Sequence, residues 1–372
     1  MKNRIVKSAG VLAIASLMTT TAFSQITIGG YAEAGFMTGN TGSNTLVRGT
    51  TKGFGGETVI TVAGKGSLTN GWTYSAYQNF DSDDSLNGRD TAGTTTQIAS
   101  VMTTRAITIS PSKDFNLFYT YDGVFGGEIA RTAVPVVTER AVDLTGASGL
   151  SEFIDVTSGT HAMGFEILNV GPAGRFSVAY APNLDGSTTS SSDRPFSGTG
   201  QAGTVGSTAA GYSVGYVVQP GPIKVALGFT KIDQKQAGNN QDVDSKTLGV
   251  QYIGSGYAIG AQRTKNESTK IAITTPGVKD SVDTVAASYA LSKELTAGLA
   301  YSKMDRDIAG QVSGPDNKVI QAVVAYNLGP VVASIAYEDS KDQKAGTLLT
   351  TATGMDTTIT KIKVKALSLI HI

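Results

Sequence analysis

Seven tight turns recur along this chain, and each opens a run of residues that alternates in polarity. The turns are Leu68-Thr69-Asn70-Gly71, Ser110-Pro111-Ser112-Lys113, Val170 to Gly174, Gln219-Pro220-Gly221-Pro222, Gly254-Ser255-Gly256, Ser292-Lys293-Glu294 and Asn327-Leu328-Gly329-Pro330. They carry the residues that set turn dihedrals. A period of two is the mark of a strand with two unlike faces. Seven turns join fourteen strands, and Ile26 to Phe36 in front with Thr358 to Leu367 behind makes sixteen. Longer polar connections, among them Asp81 to Thr96, Ala181 to Thr208 and Lys231 to Asp242, separate the hairpins. Short and long connections alternate throughout, so all short turns share one rim and all long loops the other. An even strand number also brings both chain ends to the short-turn rim, where the first and last strands can pair.

The two faces differ in the way a wall between lipid and water requires. Ile223, Val225, Leu227 and Phe229 stand against Lys224, Ala226, Gly228 and Thr230. Leu295, Ala297, Leu299 and Tyr301 stand against Thr296, Gly298, Ala300 and Ser302. Near the end of the chain Ile362, Val364 and Ala366 alternate with Lys361, Lys363 and Lys365. One lysine on a lipid-facing position at mid-bilayer costs about 2–4 kcal/mol, so three on one face must look into water. Aromatics at strand ends, such as Trp72, Tyr180, Tyr252, Tyr289 and Tyr337, suit the two membrane interfaces. A soluble sandwich also alternates, but it explains neither the short-long rhythm nor the lysine face.

The first 24 residues read as a secretory leader. Lys2, Arg4 and Lys7 precede a short apolar core, Ala9 to Met18, and small residues precede a cut after Ser24. Residues 1–24 are then a signal peptide and 25–372 a single barrel domain. Removing the leader takes away three basic residues and no acidic one, leaving 27 against 30, a net charge of −3. Cysteine is absent, which excludes disulfides and thiolate metal sites. Only 16% of residues are charged and 45 are glycine, a composition unlike a coiled coil or a basic nucleic-acid binder. No later stretch offers 18 consecutive apolar residues, so a membrane-crossing form must be an all-β barrel.

The longest connection, about residues 122–159, does not read as a strand at all, and so long a loop in a compact domain points to function. It contains Phe125-Gly126-Gly127-Glu128 at its start. In these features the chain resembles the sixteen-stranded general diffusion porins of Gram-negative outer membranes. Many of those carry an F-G-G-acid motif in a third long loop that folds into the lumen, and here the motif opens the third long connection. The preceding Gly123-Val124 departs from the family's Pro-Glu. The ending departs too, because Lys365 to Ile372 lacks the terminal aromatic of such barrels, and the last few residues are expected not to be the native end.

The resemblance implies an antiparallel transmembrane barrel with short periplasmic turns, long extracellular loops and an inward third loop. It implies a water-filled channel for small hydrophilic solutes and ions, lodged in outer-membrane lipid as a homotrimer, with no cofactor and no nucleic-acid partner. Constriction residues are then Phe125, Gly126, Gly127, Glu128, Arg131, Glu139 and Asp143, with Arg140, Glu152 and Asp155 nearby. Lumen-wall charges are Glu33, Glu166, Arg175, Lys224, Lys361, Lys363 and Lys365. Loop acids facing wall bases would set a transverse field. Arg105 shares parity with Ile107 and Ile109, which leaves its face ambiguous. A substrate-selective channel, for example one preferring anions, and a structural or adhesive barrel are the alternatives. Enzymatic chemistry is not expected, since the two histidines, His161 and His371, sit in no metal or nucleophile motif.

If the long connection narrows a pore, deleting residues 131–145 raises single-channel conductance and admits larger solutes. A deletion variant that folds and conducts as before returns this stretch to the surface.

Overall fold

A strand in hydrocarbon has no water for its N–H and C=O groups, so each edge must find another strand. The computed structural model describes residues 25–41, 52–84, 101–134, 153–157, 161–182, 208–236, 239–268, 277–308, 316–343 and 355–371. They form sixteen strands. The first eight are β1 (Gln25–Thr41), β2 (Lys52–Ser67), β3 (Thr73–Asp84), β4 (Val101–Ser112), β5 (Phe115–Tyr121), β6 (His161–Leu168), β7 (Arg175–Ala181) and β8 (Thr208–Val218). The second eight are β9 (Ile223–Gln236), β10 (Asn239–Ile253), β11 (Tyr257–Ser268), β12 (Val278–Ala290), β13 (Leu295–Ile308), β14 (Asn317–Asn327), β15 (Val331–Gln343) and β16 (Met355–His371). Each pairs antiparallel with its sequence neighbours, and β1 pairs with β16 to close the barrel. The closing register runs from Thr27 opposite His371 to Thr41 opposite Thr357. Six of the seven predicted tight turns lie between the strands they were expected to join; at the other, Ser110, Pro111 and Ser112 continue β4 and the reversal falls at Lys113-Asp114. The leader, residues 1–24, lies outside the described residues.

Exposure follows the predicted parity. Leu299 is 56% exposed and Ile362 50%, while Lys361 is 3% and Lys363 7%. Outward positions form an apolar band that begins at the short turns. On β9 it is Ile223, Val225, Leu227 and Phe229, and on β13 Leu295, Ala297, Leu299 and Tyr301. Above the band the strands continue and their outward positions turn ionic. Arg263 meets Asp283 at 3.3 Å, Lys279 meets Glu267 at 2.7 Å, and Lys303 meets Asp316 at 2.8 Å.

This extension corrects one expected loop. Lys231 to Asp242 was read as a long polar connection, but β9 and β10 stay paired through it, from Lys231 opposite Asp244 to Gln236 opposite Asn239. Beyond the lipid band an outward strand position can be polar, so a protruding hairpin and a loop share one composition. The short-long rhythm is broken at this place. Arg105 is also resolved. It pairs with Gln78 and Tyr121 in register, on the outward side with Ile107 and Ile109.

The two faces predict unequal responses to the same charge. Leu299→Arg should cost about 2–4 kcal/mol in urea-dependent folding into lipid vesicles, whereas Ser288→Arg on the lumen side should cost little. Equal costs would contradict the assignment of faces.

Candidate functional site

The connection between β5 and β6 leaves the wall and returns to it at one point. The Asp122 N–H donates to the Thr157 carbonyl at 3.0 Å, which ties entry to exit. The chain then turns inward through Gly126, whose φ of 60° lies in the left-handed region. Glycine is required there twice over, because an added Cβ would also stand 2.1 Å from Ser213 Oγ. Phe125 stacks on the inward Phe118, with centroids 4.1 Å apart. The pair joins a buried cluster with Ala106, Val156, Ala162, Ala179 and Ala181.

Residues after Gly127 make one helical turn, α1 (Glu128–Arg131), packed on β8, β9 and β10. The bed beneath it is made of small inward residues. A Cβ on Gly215 would meet the Gly126 carbonyl oxygen at 2.1 Å, and one on Gly249 would meet Val134 at 2.4 Å. Ala226, fully buried, packs with Ala130 and Val134. Larger side chains at these positions would lift the loop off the wall.

A loop inside the barrel still owes its buried N–H groups partners. Hydroxyls on the wall supply them. Gly126 N–H donates to Ser177 Oγ at 2.8 Å, Gly127 N–H to Ser213 Oγ at 3.1 Å, and Ile154 N–H to Ser245 Oγ at 3.0 Å. Asp155 holds the two arms of the loop together. Its carboxylate accepts from Glu128 N–H and Val156 N–H, each at 2.6 Å, and from the Thr157 hydroxyl at 3.2 Å. Burial pushes the Asp155 carboxyl up from the usual aspartate range, while hydrogen bonds from Ser213, Val156, Glu128 and Thr157 pull it back down.

The predicted charges fall into two groups on opposite walls. On the loop side, Arg131 Nε donates to both carboxylate oxygens of Glu128 at 2.8 and 2.9 Å. Arg175 pairs with Glu166 and donates to the Val124 carbonyl at 3.1 Å, with its guanidinium 5.8 Å from the Phe125 ring centroid. These two arginines bind their own side of the lumen. In a closed ring of sixteen, β16 lies opposite β8. There Lys363 Nζ sits 2.6 Å and Lys365 Nζ 3.8 Å from Glu33 on β1, and Lys365 also covers the Tyr31 ring at 3.1 Å. Lys361 is buried one inward position further along β16. Lys224 lies on β9 near the short-turn rim. Glu139, Asp143, Arg140 and Glu152 lie outside the described residues.

Comparison with known proteins now adds to this geometry. Residues 9–346 match the family described as Gram-negative porin. The chain belongs to that family. The barrel is therefore an outer-membrane channel for passive diffusion. Among solved structures, this porin is similar in fold to the anion-selective porin from Comamonas acidovorans. That likeness has TM-score 0.60 at 14% identity, covering 92% of this chain and 99% of that one. OmpT of Vibrio cholerae gives TM-score 0.59 at 9% identity, with 94% and 99% covered. A stretch of 125 residues is 30% identical to the trimeric autotransporter adhesin AtaA of Acinetobacter sp. (strain Tol 5), which is 34% of this chain and 3% of that protein.

What sequence reading missed in this porin is the bed and its hydroxyls. Ser177, Ala179, Ser213, Gly215, Ala226, Gly228, Ser245 and Gly249 all have inward parity on four consecutive strands, β7 to β10. That coincidence of small residues was a usable signal. It predicts that Gly215→Val dislodges the loop and raises conductance and liposome swelling by larger sugars. Asp155→Ala removes the carboxylate that accepts from Glu128 N–H, Val156 N–H and the Thr157 hydroxyl, and should act in the same direction, since a hydrogen bond to a charged group contributes about 1.5–3 kcal/mol. Unchanged conductance in both variants would separate the loop from the pore width.

Proposed function

We propose that the protein is a general diffusion channel for small hydrophilic solutes and ions. It is exported by a cleaved leader over residues 1–24, works as a homotrimer and carries out no catalysis. The supporting observation is the placement of the third connection. Its described arms are fixed to the inner wall from β5 to β10, opposite the lysine column of β16. Solute passes between them. Phe125, Gly126 and Gly127 root the loop, and Glu128, Arg131, Glu139 and Asp143 belong to the segment that sets the width.

The expected field of loop acids against wall bases takes a different balance in this reading. Glu128 is held by Arg131, and Glu166 by Arg175, so these four contribute little net charge. Lys363 and Lys365 meet Glu33 on β1, and Glu338 on β15 is hydrogen-bonded to Gln321. On β16 the inward positions 361, 363 and 365 are all lysine, a continuous basic column. This observation favours a second reading, a mild preference for anions, in keeping with the anion selectivity named for the Comamonas porin.

Reversal potentials in a salt gradient test both readings. The wild-type channel should favour chloride over potassium modestly. Unit charges 4 Å apart in water interact by about 1 kcal/mol, so Lys361→Glu with Lys363→Glu should lower the chloride-to-potassium permeability ratio by roughly fivefold or more. A conducting variant with an unmoved ratio removes the lysine column from the selectivity mechanism, and a protein that forms no conductance removes the channel.

A further inference from the structure

One inward row runs in register from β9 to β15, with no charge between its ends and nothing larger than alanine on its floor. At the lower end Lys224 on β9 lies opposite Gln251 on β10. The floor follows: Gly260 on β11, Ala286 on β12 and Ala300 on β13, each directly opposite the next. At the upper end Ala300 faces Gln321 on β14, and Gln321 faces Glu338 on β15.

The row does not stay at one depth. Counted from the short turns, Lys224 is the second residue of β9, Gln251 the third of β10 and Gly260 the fourth of β11. The climb continues by one residue per strand to Glu338, the eighth of β15. Six such steps gain about 20 Å of strand length, at roughly 3.3 Å per residue. The row therefore leads lengthwise along the lumen, from the short-turn mouth to the level where the outward face turns ionic at Asp339. It also passes the edge of the third connection, because a Cβ on Gly260 would stand 3.0 Å from Val134 Cγ1.

The polar groups along it lack donors. Gln321 Nε2 donates to Glu338 Oε2 at 2.9 Å, which leaves Glu338 Oε1 with no donor among the described residues. Gln251 Oε1 has none either, nor has Gln262 Oε1, one row higher on β11. Glu338 is 0% exposed and Gln251 5%, so bulk water gives these oxygens little relief. Recessed acceptors of this kind gain most from a ligand that brings its own N–H or O–H. Hydroxyls already border the floor in pairs, Thr284 with Ser302 at 2.9 Å and Thr247 with Thr264 at 3.0 Å. Each hydroxyl can donate or accept.

A ligand for this row must donate hydrogen bonds at several points, lie flat on glycine and alanine, and need no charge of its own. A chain of hydroxyls meets all three demands. We propose that the row from Lys224 to Glu338 is a binding track for neutral polyhydroxyl solutes, that is, sugars and sugar alcohols, whose hydroxyls donate to the free oxygens of Gln251, Gln262 and Glu338. The proposal rests on the channel reading and names a solute class that the channel retains. Gln251 and Gln321 are four strand spacings apart, roughly 19 Å along the wall. A short oligosaccharide can therefore engage one end before it leaves the other, which keeps binding weak enough for passage.

Single channels in planar bilayers are titrated with maltotriose and, in parallel, with polyethylene glycol of equal hydrodynamic size, whose ether oxygens accept but do not donate. Maltotriose should lower the current saturably, and the polymer only in linear proportion to its concentration. Ala300→Leu fills the floor and should raise the half-blocking concentration of maltotriose at least fivefold. Gln251→Leu removes one acceptor at similar volume and should raise it at least threefold. Thr296→Leu, off the row on the same strand, should leave it unchanged. Potassium chloride conductance without sugar reports that each variant is folded and open. Equal effects of sugar and polymer, or a half-blocking concentration unmoved in both folded row variants, overturn the track. Conductance with no saturable block sinks the track alone, whereas a protein without conductance sinks the channel reading with it.

Discussion

The structure depends first on the cost of an unpaired peptide group in hydrocarbon. Each such group costs several kcal/mol, so a spanning sheet must have no edge. Closing β1 on β16 meets that demand, and it forces the other features. The ends of the chain must meet on one rim. Every outward side chain in the band must be compatible with lipid, and polar residues must turn inward or lie above it. The third connection obeys the same rule inside the lumen. Its N–H groups lie against protein, and Ser177, Ser213, Ser245 and Asp155 give them acceptors.

What could be read from the chain follows from which physical signals are local. Parity is local: Lys361, Lys363 and Lys365 against Ile362 and Val364 assign two faces with no knowledge of neighbours. Turn chemistry is equally local, and six of the seven tight turns stand where their residues place them, while Ser110-Pro111-Ser112 stays in β4 and the turn follows it. The fate of Lys231 to Asp242 is not local, because above the lipid band a paired strand and a free loop use the same polar residues. Its cue lay in the inward Ile232 and Val243 beside outward Lys231 and Asp244, which keep a period of two. The loop bed is less local still. Gly215, Gly228 and Gly249 mean little one strand at a time, since glycine in a strand also marks bends and bulges. They acquire meaning only when parity aligns them across β8, β9 and β10 beneath a known insertion.

Charges in the lumen divide by whether they are spent on position or left to act on solute. Glu128 with Arg131 and Glu166 with Arg175 are close pairs. Ion pairs that water can reach contribute only about 0–1 kcal/mol to stability. Their effect is geometric instead. The Arg175 guanidinium joins β6, β7, the Val124 carbonyl and the Phe125 ring, so it holds the root of the loop. A residue used in this way cannot also supply much field. The opposite wall carries the lysine column of β16, whose positions 361, 363 and 365 share the inward face.

The shortest arc of the wall, β5 to β7, is where these constraints meet. Strands of 7 or 8 residues have few cross-strand bonds to hold them. From inside, the third connection buttresses them: Phe125 on Phe118, Val156 among Ala162, Ala179 and Ala181, and Arg175 on Glu166. From outside, the same arc carries Arg105 and His161, 3.1 Å apart, with the Tyr119 hydroxyl 2.7 Å from the other ring nitrogen of His161. Lengthening β5 and β6 would close the opening through which the loop enters the lumen. The inward path of the third connection and the polar outward row thus belong to one local shortening of the barrel.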